Sequence, residues 1–175
     1  MDKRILIAVG VGVGILVFAL PAYGVGNSVI SLIKKKLTLA QRRNATIIAE
    51  EFLAAGLPPV VAAAAIANAY AESKLNAAAV GDSGHSIGLF QLSDWGAGHD
   101  LSVEYRLDPR NNTKTILSRE VLGKFGKNLR ARAAEGARVG ELAAIYCRDI
   151  ERPKDIEGES QKRSDLAETM FPSLA

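Results

Sequence analysis

From Val60 to Ser73 the chain reads VVAAAAIANAYAES, with Asn68 and Tyr70 as its only polar members before Glu72. A helix that is apolar on every side has no solvent face and must be buried. Its small side chains let neighbouring helices approach closely. Leu57-Pro58-Pro59 breaks the chain just ahead of it, and either proline suits a first helical turn. The segment therefore predicts the central, buried helix of a mainly α domain, with Glu72 emerging at its C-terminal end.

That position bears on chemistry. A carboxyl group surrounded by Ala, Ile and Leu loses hydration when ionised, which raises its pKa. A helix C-terminus also disfavours a negative charge. Both effects favour the protonated form that a general acid needs. A polar turn follows, Gly81-Asp82-Ser83-Gly84-His85-Ser86, and then Gly88-Leu89-Phe90-Gln91. Asp82 is the second carboxylate that a sugar-cleaving site uses. It is equally suited to bracing the turn through its own backbone.

Glu72-Ser73, Gly81-Asp82-Ser83-Gly84 and Gly88-Leu89-Phe90-Gln91, in this order and spacing, resemble the lysozyme-like superfamily of goose-type lysozymes and soluble lytic transglycosylases. Near the C-terminus, Ile150-Glu151-Arg152-Pro153 and Gly158-Glu159-Ser160-Gln161-Lys162-Arg163 resemble the closing segment of phage virion tail-tip lysozyme domains. The resemblance covers roughly residues 60 to 165. It implies a lysozyme-like fold and cleavage of the β-1,4 bond between N-acetylmuramic acid and N-acetylglucosamine in peptidoglycan glycan strands. Glu72 would be the catalytic acid and Asp82 the group that activates water. Ser73 and Gln91 would bind substrate amides or orient Glu72. Tyr146 matches an aromatic residue that some members carry near the acid. No cofactor is implied, and virion proteins are implied as partners. If no base is placed, the muramoyl C6 hydroxyl attacks and the enzyme is a lytic transglycosylase giving a 1,6-anhydro sugar. A non-enzymatic membrane channel or scaffold with a decayed lysozyme fold is the rival from another class.

The 175 residues suffice for one domain with a proper core, and carry a formal charge of +3. Residues 1 to 36 hold five Lys/Arg and one Asp, so the remainder sums to −1. The basic excess thus belongs to the N-terminal segment, which suits a lipid interface better than a phosphate-tracking groove. Few aromatics are available for base stacking. No nucleic acid is expected as a partner.

Ile5 to Ile33 contains no charged residue, and its most apolar part is Ile5 to Tyr23. A helix of that length nearly spans a hydrocarbon core. Residues 1–36 read as a single-pass membrane anchor with a basic flank, contacting lipid through residues 5–26. Residues 37–175 read as the wall-cleaving domain. A cleaved signal peptide is the alternative. Lys34-Lys35-Lys36 would place the domain on the cytoplasmic side, away from the wall; delivery in a virion, or to a host cell envelope from outside, escapes that conflict. Gly10 and Gly14 match a helix-packing motif that glycine-rich membrane helices also produce by composition.

Further along, Thr38 caps a helix through Ile47, Ile48 and Phe52. Asp108-Pro109 starts another, with Ile116, Leu117, Val121 and Leu122 as its stripe. Arg138 to Glu151 is a helix ended by Pro153, with Tyr146 and Cys147 inward, and Ser160 to Met170 is the last. Ile87 to Leu92 reads as a short helix or strand at the cleft wall, and Asn76 to Ser86 as the remnant of a β-ribbon. Asp94 is a second candidate base. Trp95 and Tyr105 suit sugar stacking, although isolated aromatics are more often core. His85 and His99 with Asp82, Asp94 and Asp100 match no metal-ligand spacing, and Asp82, Ser83 and His85 lie too close in sequence for a hydrolytic triad.

Overall fold

A computed structural model describes residues 22–175. Eight α-helices are present among them, and the element that organises them is the alanine-rich one. Helix α3 (Pro59–Ser73) starts with Pro59 at its first turn. Every residue from Val61 to Ala69 is fully buried. It packs against α2 (Leu39–Ala54), α7 (Val139–Tyr146) and α8 (Ile156–Met170). Asn68 bridges two of these helices, its Nδ2 donating to the Ala64 carbonyl at 2.9 Å and the Ala143 carbonyl at 3.2 Å.

Helix α2 begins with a reciprocal cap. The Thr38 hydroxyl accepts from the Gln41 N–H, and the Gln41 side chain accepts from the Thr38 N–H. Ahead of it lies α1 (Ala22–Ser31). Val29, Ile30 and Ile33 are buried in the shared core, and the Lys34 N–H donates to the Met170 carbonyl at 2.9 Å. Residues ahead of position 37 thus pack onto the domain expected to begin there. Lys35 is drawn onto the protein too, its Nζ lying 5.0 Å from the centre of the Tyr70 ring. An uncharged apolar run reads the same in sequence whether it meets lipid or a protein core. Most of the expected span Ile5–Tyr23 lies outside the described residues. Among the described residues no helix is long and apolar enough to cross a membrane.

The chain leaves α3 through Lys74 and Leu75, both in the left-handed backbone region. It then forms a small antiparallel sheet, β1 (Val80–Gly81), β2 (Ser86–Ile87) and β3 (Leu92–Ser93). Val80 pairs with Ile87, and Ile87 with Leu92. The segment 87–92 is thus strand at both ends with a turn between. Helix α4 (Val103–Leu107) is capped by Ser102, and α5 (Pro109–Ile116) by Asp108, whose carboxylate accepts from the Asn111 N–H. A π-helical turn, Leu117–Val121, continues α5, and another, Cys147–Glu151, continues α7. Leu122 is exposed at the end of the first and leaves the expected apolar stripe. Between them runs α6 (Lys127–Ala134). Helix α8 starts a turn earlier than expected, because Asp155 caps it through the Gly158 N–H.

Candidate active site

Several independent ties fix the end of α3. The Gln41 side chain donates to the Lys74 carbonyl and the Asn44 side chain to the Leu75 carbonyl, both at 2.9 Å, so α2 clasps the turn that follows Glu72. Ser73 is buried, with its hydroxyl facing the Ala69 carbonyl at 3.0 Å and the Leu89 carbonyl at 2.9 Å. One residue beyond Glu72, α3 is therefore fastened to the ribbon. Ser73 has little surface left for a substrate amide.

Glu72 is half-buried on the other side of that turn, and its carboxylate accepts from Nη2 of Arg163 on α8. Burial raises the Glu72 carboxyl above its ordinary value. The Arg163 charge and hydrogen bond pull it back, and the charges of Glu159 and Asp82 push it up. Arg163 also donates to Glu159 at 3.3 Å, and its side chain is only 12% exposed.

Beneath Glu72 lies a second acidic group. Glu151 ends the π-helical turn after α7, and its Oε1 is buried with no hydrogen-bond partner. Burial, and next the charge of Glu72, hold its carboxyl well above the ordinary value. Tyr146 is fully buried, and its hydroxyl is likewise unpartnered. Burial raises its phenol well above the ordinary value, with Glu151, Glu120 and Glu72 adding to the effect. Its ring packs near Phe90, 6.2 Å between centres. Tyr146, expected to bind substrate, has no accessible surface in this structure.

The ribbon supplies the facing wall. Asp82 is exposed at the β1–β2 turn, with φ of 47°, and its Oδ2 accepts from the Ser86 hydroxyl at 2.6 Å. Ser83 beside it has φ of 56°. Two successive non-glycine residues in this sparsely populated region cost of order 1–3 kcal/mol each, and such strain collects at functional sites. Gln91 turns its side chain inward, donating to the Gly88 carbonyl at 2.9 Å and the Ala79 carbonyl at 3.4 Å. A Cβ on Gly81 would lie 2.5 Å from Gln91 Oε1. Gln91 thus braces the ribbon from within, which leaves its amide committed to the fold rather than to substrate.

Two buried polar residues that sequence reasoning missed hold the ribbon in place. Asn112 of α5 accepts from the Phe90 N–H at 3.0 Å and donates to the carbonyls of Ile87 at 3.0 Å and Arg106 at 2.8 Å. Arg106 of α4 donates to the carbonyls of His85 at 2.9 Å and Leu92 at 3.0 Å. On the outer rim His85 stacks on Trp95, 4.1 Å between ring centres, and its Nδ1 lies 3.0 Å from Asp94. Asp94 is thus paired with His85. Trp95 is 77% exposed and Tyr105 40%, so neither belongs to the core. Among the described residues no group of three or more His, Cys, Asp or Glu is placed to hold a metal ion.

Arg163 and Glu151 were also missed as site residues, although both lie in the two C-terminal motifs the sequence offered. A cleft of about 560 Å³ between α2 and α5 is lined by Arg43, Glu50 and Arg110 and does not include Glu72. A smaller one of about 120 Å³ is lined by Gln91, Glu120, Glu151 and Arg152, behind the acid. Of the groups lining the smaller one, the Glu151 carboxyl is strongly perturbed; Glu72 lines neither cleft.

No curated protein and no solved structure matches the chain at a significant level. A family model does, that of the phage tail lysozymes, over residues 43–174, which takes in Glu72, Asp82, Glu151 and Arg163. It supports a lysozyme-like, peptidoglycan-cleaving function in a phage setting. With most of its length matched by that model, the chain belongs to the phage tail lysozyme family.

Proposed function

We propose that this protein is a muramidase that cleaves the β-1,4 bond between N-acetylmuramic acid and N-acetylglucosamine, carried by a virion to open the host wall. The observation that carries the reading is Glu72: a half-buried carboxyl at the end of a buried helix, raised by burial, with Asp82 of the facing ribbon within electrostatic reach. In this reading Glu72 protonates the glycosidic oxygen as positive charge builds on the sugar ring. Asp82 then activates a water on the opposite face. Its Oδ2 is held by Ser86, which leaves Oδ1 for that water. Ser73 and Gln91 keep acid and ribbon in register, and Trp95 offers an exposed face for a sugar ring. A non-enzymatic scaffold would have no use for a buried acid at this place. Attachment to lipid belongs to the proposal on sequence alone, through the uncharged residues from Ile5 onward that precede α1.

The test is digestion of purified peptidoglycan followed by mass spectrometry of the muropeptides. Reducing muramoyl ends are expected. Anhydro-muramoyl ends, each lacking one water, would reassign the enzyme as a lytic transglycosylase. Absence of any cleavage would sink the enzymatic reading.

A further inference from the structure

The carboxyl behind Glu72 has no role in the reaction as described so far. Two helices of the domain end in π-helical turns, Leu117–Val121 and Cys147–Glu151, and each carries a glutamate to the same small cavity. Such turns are rare and collect at functional sites. The two glutamates differ in their partners. Glu120 accepts from Arg152 at 3.2 Å. Glu151 leaves Oε1 buried and unpaired, under the unpaired hydroxyl of the fully buried Tyr146. Arg163 is the cation whose charge acts on both Glu151 and Glu72. It binds Glu72 through Nη2 and Glu159 through Nη1, while its buried Nε has no partner. An arginine with an unused buried donor, next to a carboxyl with an unused buried acceptor, can exchange one acid for the other by a small movement.

We propose that Glu151 is the proton reservoir of the site and Arg163 the counter-ion it shares with Glu72. The proposal rests on reading Glu72 as the acid. In the resting arrangement Glu72 is ionised against Arg163, and Glu151 carries the proton. In the reactive arrangement the O–H bond of Glu151 breaks and one forms on Glu72, while the Arg163 charge faces the newly ionised Glu151. The net charge of the three groups is zero in both. Glu72 then passes the proton to the glycosidic oxygen and returns to Arg163, and solvent reprotonates Glu151. The directions of perturbation agree: burial disfavours ionisation of either carboxyl, the charge of Glu72 raises Glu151, and Arg163 lowers both. The other titratable and charged groups facing the pair are Glu120 and Arg152, Tyr146, Cys147, Glu159 of α8 and Asp82 of the ribbon.

The experiment is a carboxyl-carbon NMR titration of the full chain with labelled glutamate, paired with wall-lysis rates against pH. In Glu151→Gln the reservoir is gone and Arg163 has only Glu72 to face. Glu72 should then titrate in a single step about one pH unit or more below its wild-type midpoint. Lysis should be lost near neutral pH and regained in acid. Glu151→Asp keeps a transferable proton and should stay close to the wild-type profile. Adding Arg163→Gln to Glu151→Gln should return the Glu72 midpoint upward. A Glu72 titration unchanged by Glu151→Gln overturns the proposal, as does a loss of lysis uniform across pH. If the wild-type protein lyses no wall, the reading of Glu72 as the acid fails, and the titration still decides whether the two carboxyls share a proton and a counter-ion.

Discussion

The carboxylate of Glu72 is held by the guanidinium of Arg163, ninety-one positions later in the chain. The pair joins the end of the buried α3 to the middle of α8 and sets the electrostatics of the site. Burial wins over the arginine, and the Glu72 carboxyl stays above its ordinary value. A general acid works only while protonated. Lysis should therefore be full in acid and fall as pH rises until the Glu72–Glu151 pair no longer holds that proton, with the midpoint above the ordinary carboxylate range. Initial rates of wall clearing across pH, at fixed ionic strength, check this. A rate that increases steadily with pH through that range would contradict it.

Asn112 and Gly88 form a second pair on which the site depends. Gly88 has φ of 84°, and a Cβ there would overlap the Asn112 amide and the Arg106 carbonyl. Gly88→Ala should cost about 3 kcal/mol or more, combining a strained backbone with overpacking. Asn112→Ala deletes three buried hydrogen bonds and should cost about 3 kcal/mol. Denaturant melts measure both. Losses under 1 kcal/mol would mean the ribbon is not held as described.

Stability should depend on pH in a definite direction. Glu151 and Glu72 both have folded-state values raised above the unfolded one, Glu151 strongly. Their contribution is fully present below the unfolded carboxylate pKa and is lost as pH rises through the folded values. The melting temperature should thus decline from mildly acidic towards alkaline pH. The decline should be shallower in Glu151→Gln, which has no ionisation to suppress there. Calorimetry at several pH values tests this, and an equal decline in the variant would remove Glu151 as its source.

Asp82→Asn separates two chemistries. A water-activating base makes the change severe, by about 10²–10⁴-fold in rate. The amide can still engage Ser86, so the turn should survive. A near-silent variant, together with anhydro-muramoyl products, would leave Glu72 as the single essential acid.

Much of this was legible in the sequence. The all-apolar run before Glu72 had to be buried, and Thr38, Pro59 and Asp108 marked helix starts with a physical reason for each. The Glu72, Asp82 and Gln91 motifs named the end of α3 and the ribbon that follows it. What stayed hidden depends on long-range pairing. Arg163 and Glu151 are ordinary charged residues until the fold brings α8 and the turn after α7 against α3. Strands of two residues are too short for any periodicity to show, and π-helical turns leave no pattern in composition. Arg106 reads as a surface residue, yet is buried holding two ribbon carbonyls. Tyr146 was placed near Glu72 by resemblance, and its full burial emerges only in the packing.

The most direct measurement is wall lysis by Glu72→Gln beside the wild-type protein, with folding of both checked by circular dichroism and melting temperature. Glutamine keeps the shape and the Arg163 hydrogen bond but holds no transferable proton. The account predicts a folded variant of comparable stability whose lysis falls to background. A folded Glu72→Gln protein that clears peptidoglycan at a rate comparable to wild type would contradict it.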